Sequence, residues 1–484
     1  MWWLLIGCTR GPDIDWPEPD AWQTEGPGGP AASFGEDELL EHCAYLLGGP
    51  EDIEHHNLVV MHDGYLVMPW APEDGGGGIT FYEFDDPCAP VKVGEAYHEA
   101  MRESHSMAFG EVGDREYLAV GYQAGNTVGG VAFWDVTDRS DPQWVSELAF
   151  DGFVYPDAYF FVTLSTFWQG DALYVSFGLR GVVVVDVSDV MNPVVVDTVP
   201  EESLIAGSFH VVGNTAMASN AGAQRTVMFD VSDPWTLDGI PGGTFDVEVD
   251  GDPQPYYFAN IGGEFALFAR KTTGGGPILY DITDPRAPAL VGHDLNEDGA
   301  GGYIFRHQEL LFQGDSEFGT IHDISDPTTP TEVGRIQLEG DFDTLTPIGN
   351  MAIASVDEKG VEGQPTAVVP WDTEPDTVAP QLKWHVPGDA EPRVAKTGRI
   401  GLSFDEMIER YSVHEGSVRV WTDEGQVFGR FNVQESIVNF TPDEPFPEDT
   451  IVYVELPAGG VADVSGNALA ETVSFRFSTG AWEE

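Results

Sequence analysis

The sequence predicts an all-β protein made of many short antiparallel strands. Glycine (57 residues) and proline (34 residues) are both abundant in the 484-residue chain, and these residues end strands and form turns. One phrase, an apolar strand followed by Asp-x-Ser/Thr-Asp and a proline, returns many times along the chain. The C-terminal part lacks this phrase but keeps alternating apolar residues bounded by Gly, Pro and Asp. A chain of this length also exceeds one ordinary core, so at least two domains are expected.

The repeated phrase predicts a β-propeller of seven blades. Its copies begin at the aspartates Asp85, Asp135, Asp186, Asp230, Asp281, Asp323 and Asp372. These aspartates lie 42 to 51 residues apart, a period typical of repeat proteins, and strand-rich repeats of this size favour a propeller. Each copy has four strand candidates, which is the content of one blade. The Asp and Ser/Thr side chains are expected to bond the turn after the third strand, and the proline ends that strand.

The sequence does not decide which segment closes the ring. An unpaired edge in the last blade would be a liability, so a fourth strand must come from elsewhere. The segment QLKWHV (381–386) and an N-terminal segment both qualify, and the N-terminal segment is favoured because QLKWHV also fits the domain that follows. The stretch GEDELLEHCAYLL (35–47) is expected to form a short helix.

Two regions resemble known families. The strand and turn VVVVDVSD (182–189) and the copy ILYDITD (278–284) resemble the LVIVD-repeat family of surface-associated bacterial β-propellers, which implies that residues 34–375 form the propeller. Residues 376–481 resemble the bacterial Ig-like domain of S-layer and other surface proteins, through DTVAP (376–380) and DVSGNAL (463–469). The second resemblance implies a β-sandwich of about seven strands with a spacing or adhesive role. Neither family implies a catalytic residue set.

The N-terminus resembles a bacterial lipoprotein signal. Leu5, Ile6, Gly7 and Cys8 match the lipobox, although the apolar stretch is short and no Lys or Arg precedes it. The resemblance implies that residues 1–8 are the remnant of a signal, that Cys8 is lipidated, and that the membrane is a partner through this anchor. It also implies an exported protein of the outer membrane or cell surface. An accidental apolar N-terminus is the alternative.

The segment after Cys8 and the two other cysteines extend this interpretation. Residues 9–33 are rich in Pro, Gly and acidic residues and are expected to form a disordered tether. Because thiols pair in an oxidising compartment, export predicts a disulfide between Cys43 and Cys88. Two buried free thiols are the alternative.

The charge of the chain limits its partners. There are 82 acidic and 21 basic residues, which gives a formal net charge of −61. Such a surface repels nucleic acid and anionic lipid head groups. It serves either as a solubilising coat or as an attraction for divalent cations and basic partners. A monomer is expected.

The segment DLNEDGAGG predicts calcium as a cofactor. Asp294, Asn296 and Asp298 have the oxygen-ligand spacing of the first half of a calcium loop, and Gly299 supplies its turn. Phe305 stands at the twelfth position, where a helix–loop–helix calcium site needs a bidentate Glu. A shortened calcium loop and a plain acidic loop between blades are both consistent with this pattern.

Four histidines are the remaining site candidates. His56, His105, His210 and His307 lie near the starts of first strands, which line a propeller channel, so a polar ring at the channel mouth is expected. The chain has no Gly-x-Ser-x-Gly motif for a nucleophilic serine. The predicted function is therefore a non-catalytic cell-envelope lipoprotein whose propeller binds a protein or glycan, with the Ig-like domain as spacer. The alternative is a metal-dependent hydrolase or lyase that uses these histidines.

Overall fold

The fold is almost entirely β-structure, which confirms the predicted class. The computed structural model describes residues 12, 14–19, 30, 32–49, 58–71, 76–124, 128–150, 163–199, 204–271, 274–357 and 366–482. In these ranges a 3-10 turn at Arg410–Ser412 interrupts the strands. No helix of these ranges has the length and apolar character needed to cross a bilayer.

Seven four-stranded antiparallel sheets form the blades of the propeller in the described residues. The chain enters through β1 (Ala44–Leu46). Four blades follow in chain order: β2 (Val60–His62), β3 (Tyr65–Trp70), β4 (Gly77–Glu83), β5 (Val91–His98); β6 (Ala108–Val112), β7 (Arg115–Ala124), β8 (Val128–Asp135), β9 (Gln143–Phe150); β10 (Ser165–Gln169), β11 (Ala172–Ser176), β12 (Val182–Asp186), β13 (Val194–Val199); β14 (Ala206–Val212), β15 (Thr215–Asn220), β16 (Arg225–Asp230), β17 (Asp238–Asp246).

The remaining three blades continue the same order. A two-stranded hairpin, β18 and β19, lies between the fourth and fifth blades. These elements are β18 (Glu248–Val249), β19 (Asp252–Pro253); β20 (Tyr256–Gly262), β21 (Phe265–Arg270), β22 (Pro277–Asp281), β23 (Ala289–His293); β24 (Ile304–His307), β25 (Leu310–Gly314), β26 (Gly319–Asp323), β27 (Thr331–Ile336); β28 (Phe342–Ile348), β29 (Met351–Val356), β30 (Thr366–Pro370). The first strand of each blade lies innermost, so these strands surround the central channel.

The N-terminal segment closes the ring, and the helix predicted at 35–47 is wrong. Residues 36–40 form turns, and β1 pairs antiparallel with β30, with Ala44 opposite Val368 and Leu46 opposite Thr366. The seventh blade therefore has the order β1-β30-β29-β28. The strand is preferred to a helix here because an isolated helix of this length is marginally stable. In contrast, β1 gains a sheet partner and buries Leu46 completely.

The repeated aspartates act as predicted in the turns after the third strands. Six of the seven accept a hydrogen bond from the backbone N–H two residues further on, which tightens the turn. These pairs are Asp135 with Thr137 (3.1 Å), Asp186 with Ser188 (2.9 Å), Asp230 with Ser232 (2.8 Å), Asp281 with Thr283 (2.9 Å), Asp323 with Ser325 (2.8 Å) and Asp372 with Glu374 (3.2 Å). In the first blade Asp86, next to Asp85, does so instead, from the Cys88 N–H (3.2 Å). The phrase is therefore a structural element of the blades.

The C-terminal domain is a sandwich of two four-stranded sheets, ordered β31-β32-β36-β35 and β34-β33-β37-β38. QLKWHV supplies β31 of this domain. A separate apolar core, which includes Leu402, Phe440 and Phe477, fills the space between the sheets. The strands are β31 (Leu382–Val386), β32 (Ile400–Phe404), β33 (Arg419–Thr422), β34 (Gly425–Gln426), β35 (Gly429–Gln434), β36 (Ile437–Pro442), β37 (Ile451–Leu456) and β38 (Val473–Ser478).

Part of the segment predicted as a disordered tether packs on this sandwich. The rings of Trp16 and Trp421 meet edge to face with centroids 6.1 Å apart, and the Arg419 guanidinium lies 5.8 Å from the Trp16 ring. Over residues 14–19 the disorder prediction is therefore corrected, because a large aromatic ring finds an aromatic and a cationic partner.

Candidate functional site at the propeller channel

The sandwich covers one end of the propeller. In every blade the first and second strands are joined by a tight turn, and these turns lie on one face of the ring, here named the turn face. Backbone N–H groups of the turns donate to the sandwich in four blades: Gly64 to Glu409 Oε1 (3.0 Å), Gly170 to Asn432 Oδ1 (2.9 Å), Gly213 to Asn439 Oδ1 (2.7 Å) and Gln308 to the Asp405 carbonyl (2.8 Å). The sandwich thus sits on the turn face as a lid.

Two asparagines of the lid form hydrogen bonds with the turns. Asn432 and Asn439 are opposite one another on β35 and β36. Besides Gly213, Asn439 accepts a hydrogen bond from Gln169 Nε2 (3.1 Å) and donates to the Val211 carbonyl (2.8 Å). Gly213 has a φ of +60°, and a Cβ on Gly401 would collide with the Gly213 backbone. The two backbone segments therefore meet without side chains between them. The contact is specific and tightly packed.

A turn of the lid enters the channel. Gln434, the last residue of β35, and Glu435, which follows it, line an enclosed cavity of about 20 Å³ together with residues of the inner strands. This volume holds about one water molecule. The Glu435 carboxylate accepts a hydrogen bond from Asn260 Nδ2 (2.6 Å), and burial raises its pKa to about 7. The channel is therefore closed at its turn-face end.

The other end of the channel carries a group of charged and aromatic side chains. His105 Nδ1 lies 3.0 Å from the Tyr303 hydroxyl, and its Nε2 lies 3.5 Å from Glu103 Oε2. The rings of Tyr303 and Phe258 stack with centroids 4.1 Å apart. Burial raises the pKa of Asp343 to about 7, and this carboxylate feels the charges of Lys271 and His105. This end lies on the face opposite the lid, here named the open face.

The four predicted histidines do not form one ring. His105 and His210 both line the central cavity. His210 is buried, its Nδ1 has no hydrogen-bond partner, and burial lowers its pKa to about 4, so it is neutral at physiological pH. His307 lies at the end of β24 on the turn face, away from this cavity. His56 lies outside the described residues.

His307 belongs to a different group, here named the interface cluster, which consists of His307, Asp376 and Glu406. One ligand atom from each lies within 4.8 Å of the others. Burial lowers the pKa of His307, and burial with nearby carboxylates, first Asp463, raises that of Glu406 well above its ordinary value. Sequence reasoning missed this cluster because its two carboxylates come from the Ig-like region. The signal that could have found it is the pair of adjacent acids, Asp405 and Glu406, behind an apolar strand.

The predicted calcium residues are engaged with protein partners. Asp294 Oδ2 lies 3.0 Å from His322 Nδ1 and accepts a hydrogen bond from the Glu332 N–H (2.9 Å). Asn296 Oδ1 accepts hydrogen bonds from the N–H groups of Gly275 and Gly299, both at 3.0 Å. The Asp298 side chain is 65% exposed and pairs with Arg335 at 2.9 Å. The three oxygens do not converge in this arrangement, and calcium binding stays a prediction that requires rearrangement.

Two concave surfaces lie outside the channel. A groove of about 840 Å³ runs between the first two blades and contains Asp63, Glu116 and Arg139, which form ion pairs with one another. On the open face, a hollow of about 490 Å³ is lined by Glu317, Glu339 and Asp341. In the described part of the chain these three carboxylates have no ion pair. The arginines of the groove are thus paired with carboxylates, whereas among the described residues no basic side chain pairs with the three carboxylates of the hollow.

All three cysteines lie in the N-terminal part of the chain. Cys43 and Cys88 form a disulfide, with Cα atoms 5.1 Å apart, that ties the segment before β1 to the first blade. Cys8 lies outside the described residues.

Comparison with known proteins identifies both parts of the chain. The family model described as the LVIVD repeat matches residues 168–200 and 319–337, and the model described as the bacterial Ig-like domain matches residues 376–479. The chain carries LVIVD repeats and a bacterial Ig-like domain. The LVIVD matches cover strands of the third and sixth blades, and the Ig-like match covers the lid. No curated protein matches the chain.

Several solved β-propellers are similar to the LVIVD propeller in fold. A periplasmic gluconolactonase of Pseudomonas aeruginosa is 12% identical, with 71% of this chain and 97% of that chain covered and a TM-score of 0.49. A 6-phosphogluconolactonase homologue of Bacteroides fragilis is 12% identical, with 65% and 96% covered and a TM-score of 0.48. The WD40 propeller domain of Doa1 is 12% identical, with 68% and 95% covered and a TM-score of 0.46. No activity follows for this chain from likenesses at this level.

Proposed function

We propose that the protein is a non-catalytic binding scaffold whose open face binds a protein or glycan that presents positive charge. The observation that carries this proposal is the hollow lined by Glu317, Glu339 and Asp341, which lies on the face that the Ig-like lid leaves uncovered. Carboxylates without ion-pair partners attract cationic groups and accelerate their association. The lid is docked on the turn face and leaves the open face for a partner.

The test compares two pairs of charge removals with two cationic probes. Glu339→Gln with Asp341→Asn neutralises the hollow, and Glu41→Gln with Glu83→Gln removes two exposed carboxylates at the outer edge of the ring. A lysine-rich peptide represents a protein partner and a chitosan oligosaccharide represents a glycan, each followed by fluorescence anisotropy. The hollow pair is expected to weaken binding of the preferred probe about tenfold, which is about 1.4 kcal/mol for the two carboxylates together. If both pairs of substitutions weakened binding equally, the binding would be nonspecific electrostatic attraction, and the proposal would be overturned.

We also propose that the scaffold is an exported lipoprotein anchored in the outer membrane through Cys8. Support comes from the lipobox-like residues Leu5 to Cys8 and from the Cys43–Cys88 disulfide, which suits an oxidising compartment. Two acyl chains on Cys8 would hold the protein stably on the bilayer. Wild-type protein is expected in the detergent phase of a membrane partition and Cys8→Ala in the aqueous phase. Equal partitioning of both forms would contradict the anchor.

A second function, a propeller hydrolase or lyase, is favoured by one observation at the open end of the channel. Asp343, with a pKa raised to about 7, lies in the electrostatic reach of His105 and Lys271, and acids with such shifts are common in catalytic sites. This alternative expects turnover of an ester or lactone panel with a pH dependence that Asp343→Asn abolishes. Turnover that survives this substitution would place the activity elsewhere.

A further inference from the structure

The interface cluster has the composition of a metal site. His307 ends β24 of the sixth blade, Asp376 begins the Ig-like domain, and Glu406 follows β32 of the lid. Their side chains are 3%, 5% and 1% exposed. His307 Nε2 lies 3.8 Å from Asp376 Oδ2, and His307 Nδ1 lies 3.3 Å from Glu406 Oε2. Three groups from three separate segments thus converge in the buried contact between the propeller and its lid.

The polar atoms of the cluster are only partly satisfied by the protein. Both carboxylate oxygens of Glu406, Asp376 Oδ2 and His307 Nε2 have no hydrogen bond of good geometry, although the side chains of Gln308 and His307 lie against Glu406. Leaving a buried carboxylate without a partner is costly, and evolution of a well-packed interface normally removes such groups. The described ion pairs of Asp376 and Glu406 are both with His307. The basic residue nearby, Lys383, pairs with Asp405 at 3.3 Å. A bound cation would satisfy these atoms together.

The surroundings favour a cation over any neutral ligand. Asp405 and Asp463 are both nearly completely buried beside the cluster, Asp405 in its pair with Lys383, so the acidic groups here outnumber the basic one. Gln308 Nε2 donates to Asp376 Oδ1 (3.0 Å), which orients the second oxygen of that carboxylate towards the cluster. Hydrogen bonds of this kind fix metal ligands in place.

The donor set selects the class of metal. Ca²⁺ takes six to eight oxygen ligands, and an imidazole nitrogen is not among its usual donors. A neutral imidazole together with carboxylates suits divalent transition metals, and Zn²⁺ accepts four such ligands, one of which can be water. We propose that His307, Asp376 and Glu406 bind a divalent transition-metal ion of the zinc type, which clamps the Ig-like lid to the propeller.

The test uses the full-length protein after chelation, with Zn²⁺ and Ca²⁺ as separate probes in calorimetry and elemental analysis. Wild-type protein is expected to bind about one Zn²⁺ per chain and to melt at a higher temperature with Zn²⁺, as binding to the folded state alone requires. Loss of a ligand in Glu406→Gln or His307→Gln should weaken Zn²⁺ affinity about 100-fold or more. The matched control is His322→Gln, which changes another buried histidine paired with a carboxylate in the same blade.

Folding and binding are separable in this design. Glu406→Gln keeps the shape of the side chain and cannot ionise, so its metal-free form should melt at or above the metal-free wild type. Loss of the Zn²⁺ response in that stable variant, with the response kept in His322→Gln, supports the site. Zn²⁺ binding that is equal in wild type and Glu406→Gln, binding lost only in His322→Gln, or a wild type that takes up only Ca²⁺ would each overturn it.

Discussion

At the scale of single residues, Glu435 shows how the lid shapes the chemistry of the channel. The residue has a φ of +55°, which places its side chain at the tip of a tight turn that enters the ring. Its neighbour on the propeller side, Asn260, donates the hydrogen bond that partly offsets the loss of hydration. The carboxylate is thus placed where water is scarce, and its protonation is coupled to folding.

Glu435 predicts a fall in stability as pH rises. Its pKa is about 7 in the folded protein and 4.5 ordinarily, so between these values the folded state holds a proton that the unfolded state has lost. The contribution of Glu435 to the free energy of unfolding therefore decreases from pH 4.5 to 7, by at most about 3 kcal/mol. Glu435→Gln should remove this part of the decline, to which other buried acids such as Glu409 also contribute, and be the more stable form at pH 8, with near equality at pH 4.

Chemical denaturation at several pH values measures this effect. Glu444→Gln, which changes an exposed carboxylate of the same domain, is the control and should follow the wild-type curve. Parallel pH profiles for wild type and Glu435→Gln would show that the carboxylate is not coupled to folding.

Residue roles that depend on local sequence were predictable, and those that depend on the lid were not. The turn aspartates bond N–H groups two residues away, so a short phrase contains both partners. His307 was singled out, but as a channel residue, because its partners Asp376 and Glu406 lie about 70 and 100 residues further along the chain. The spacing of Asp294, Asn296 and Asp298 suggested convergence, but Arg335 and His322 come from later strands and engage two of them.

At the scale of elements, β1 is the part of the ring that local pattern misassigned. The acidic and leucine-rich stretch before it has helical composition, yet β1 gains its hydrogen bonds from β30, more than 300 residues away. The general requirement that a blade needs a fourth strand predicted the role of the N-terminal segment, while composition predicted the wrong conformation for it. Closure of the ring therefore depends on three residue pairs and on the covalent tie beside them.

The disulfide should stabilise this closure. It spans 45 residues, for which the chain-entropy model gives about 4 kcal/mol at most. Cys43→Ala with Cys88→Ala is expected to lower the free energy of unfolding in urea by up to that amount and to speed amide exchange in β1 and β30. Cys8→Ala is the control. Unchanged exchange in β1 would show that strand pairing alone holds the ring closed.

At the scale of the whole molecule, the Ig-like domain covers one face of the propeller ring. The family resemblances predicted both folds correctly, but a spacer was expected, and the Ig-like domain instead docks across the turn face through Asn432, Asn439 and the Gly213–Gly401 contact. Docking of this kind needs complementary surfaces from both domains, which neither sequence pattern contains. Ion pairs also cross this contact, such as Arg430 with Asp171 (2.7 Å), but the chain as a whole keeps a large net negative charge of −61.

That charge predicts a stability that depends on salt. With a net charge of −61, the carboxylates repel one another over a Debye length of about 30 Å at 0.01 M salt, and unfolding moves them apart. The melting temperature should rise between about 10 mM and about 1 M NaCl, as screening shortens that distance to about 3 Å. Millimolar Ca²⁺ at fixed ionic strength should add a further rise, because a divalent ion bridges neighbouring carboxylates. Asp298 is one of the predicted calcium ligands, and it pairs with Arg335 in the absence of calcium. Asp298→Ala should therefore remove part of the calcium increment and leave the sodium response intact. A melting temperature indifferent to both salts would show that the acidic surface acts only as a solubility coat.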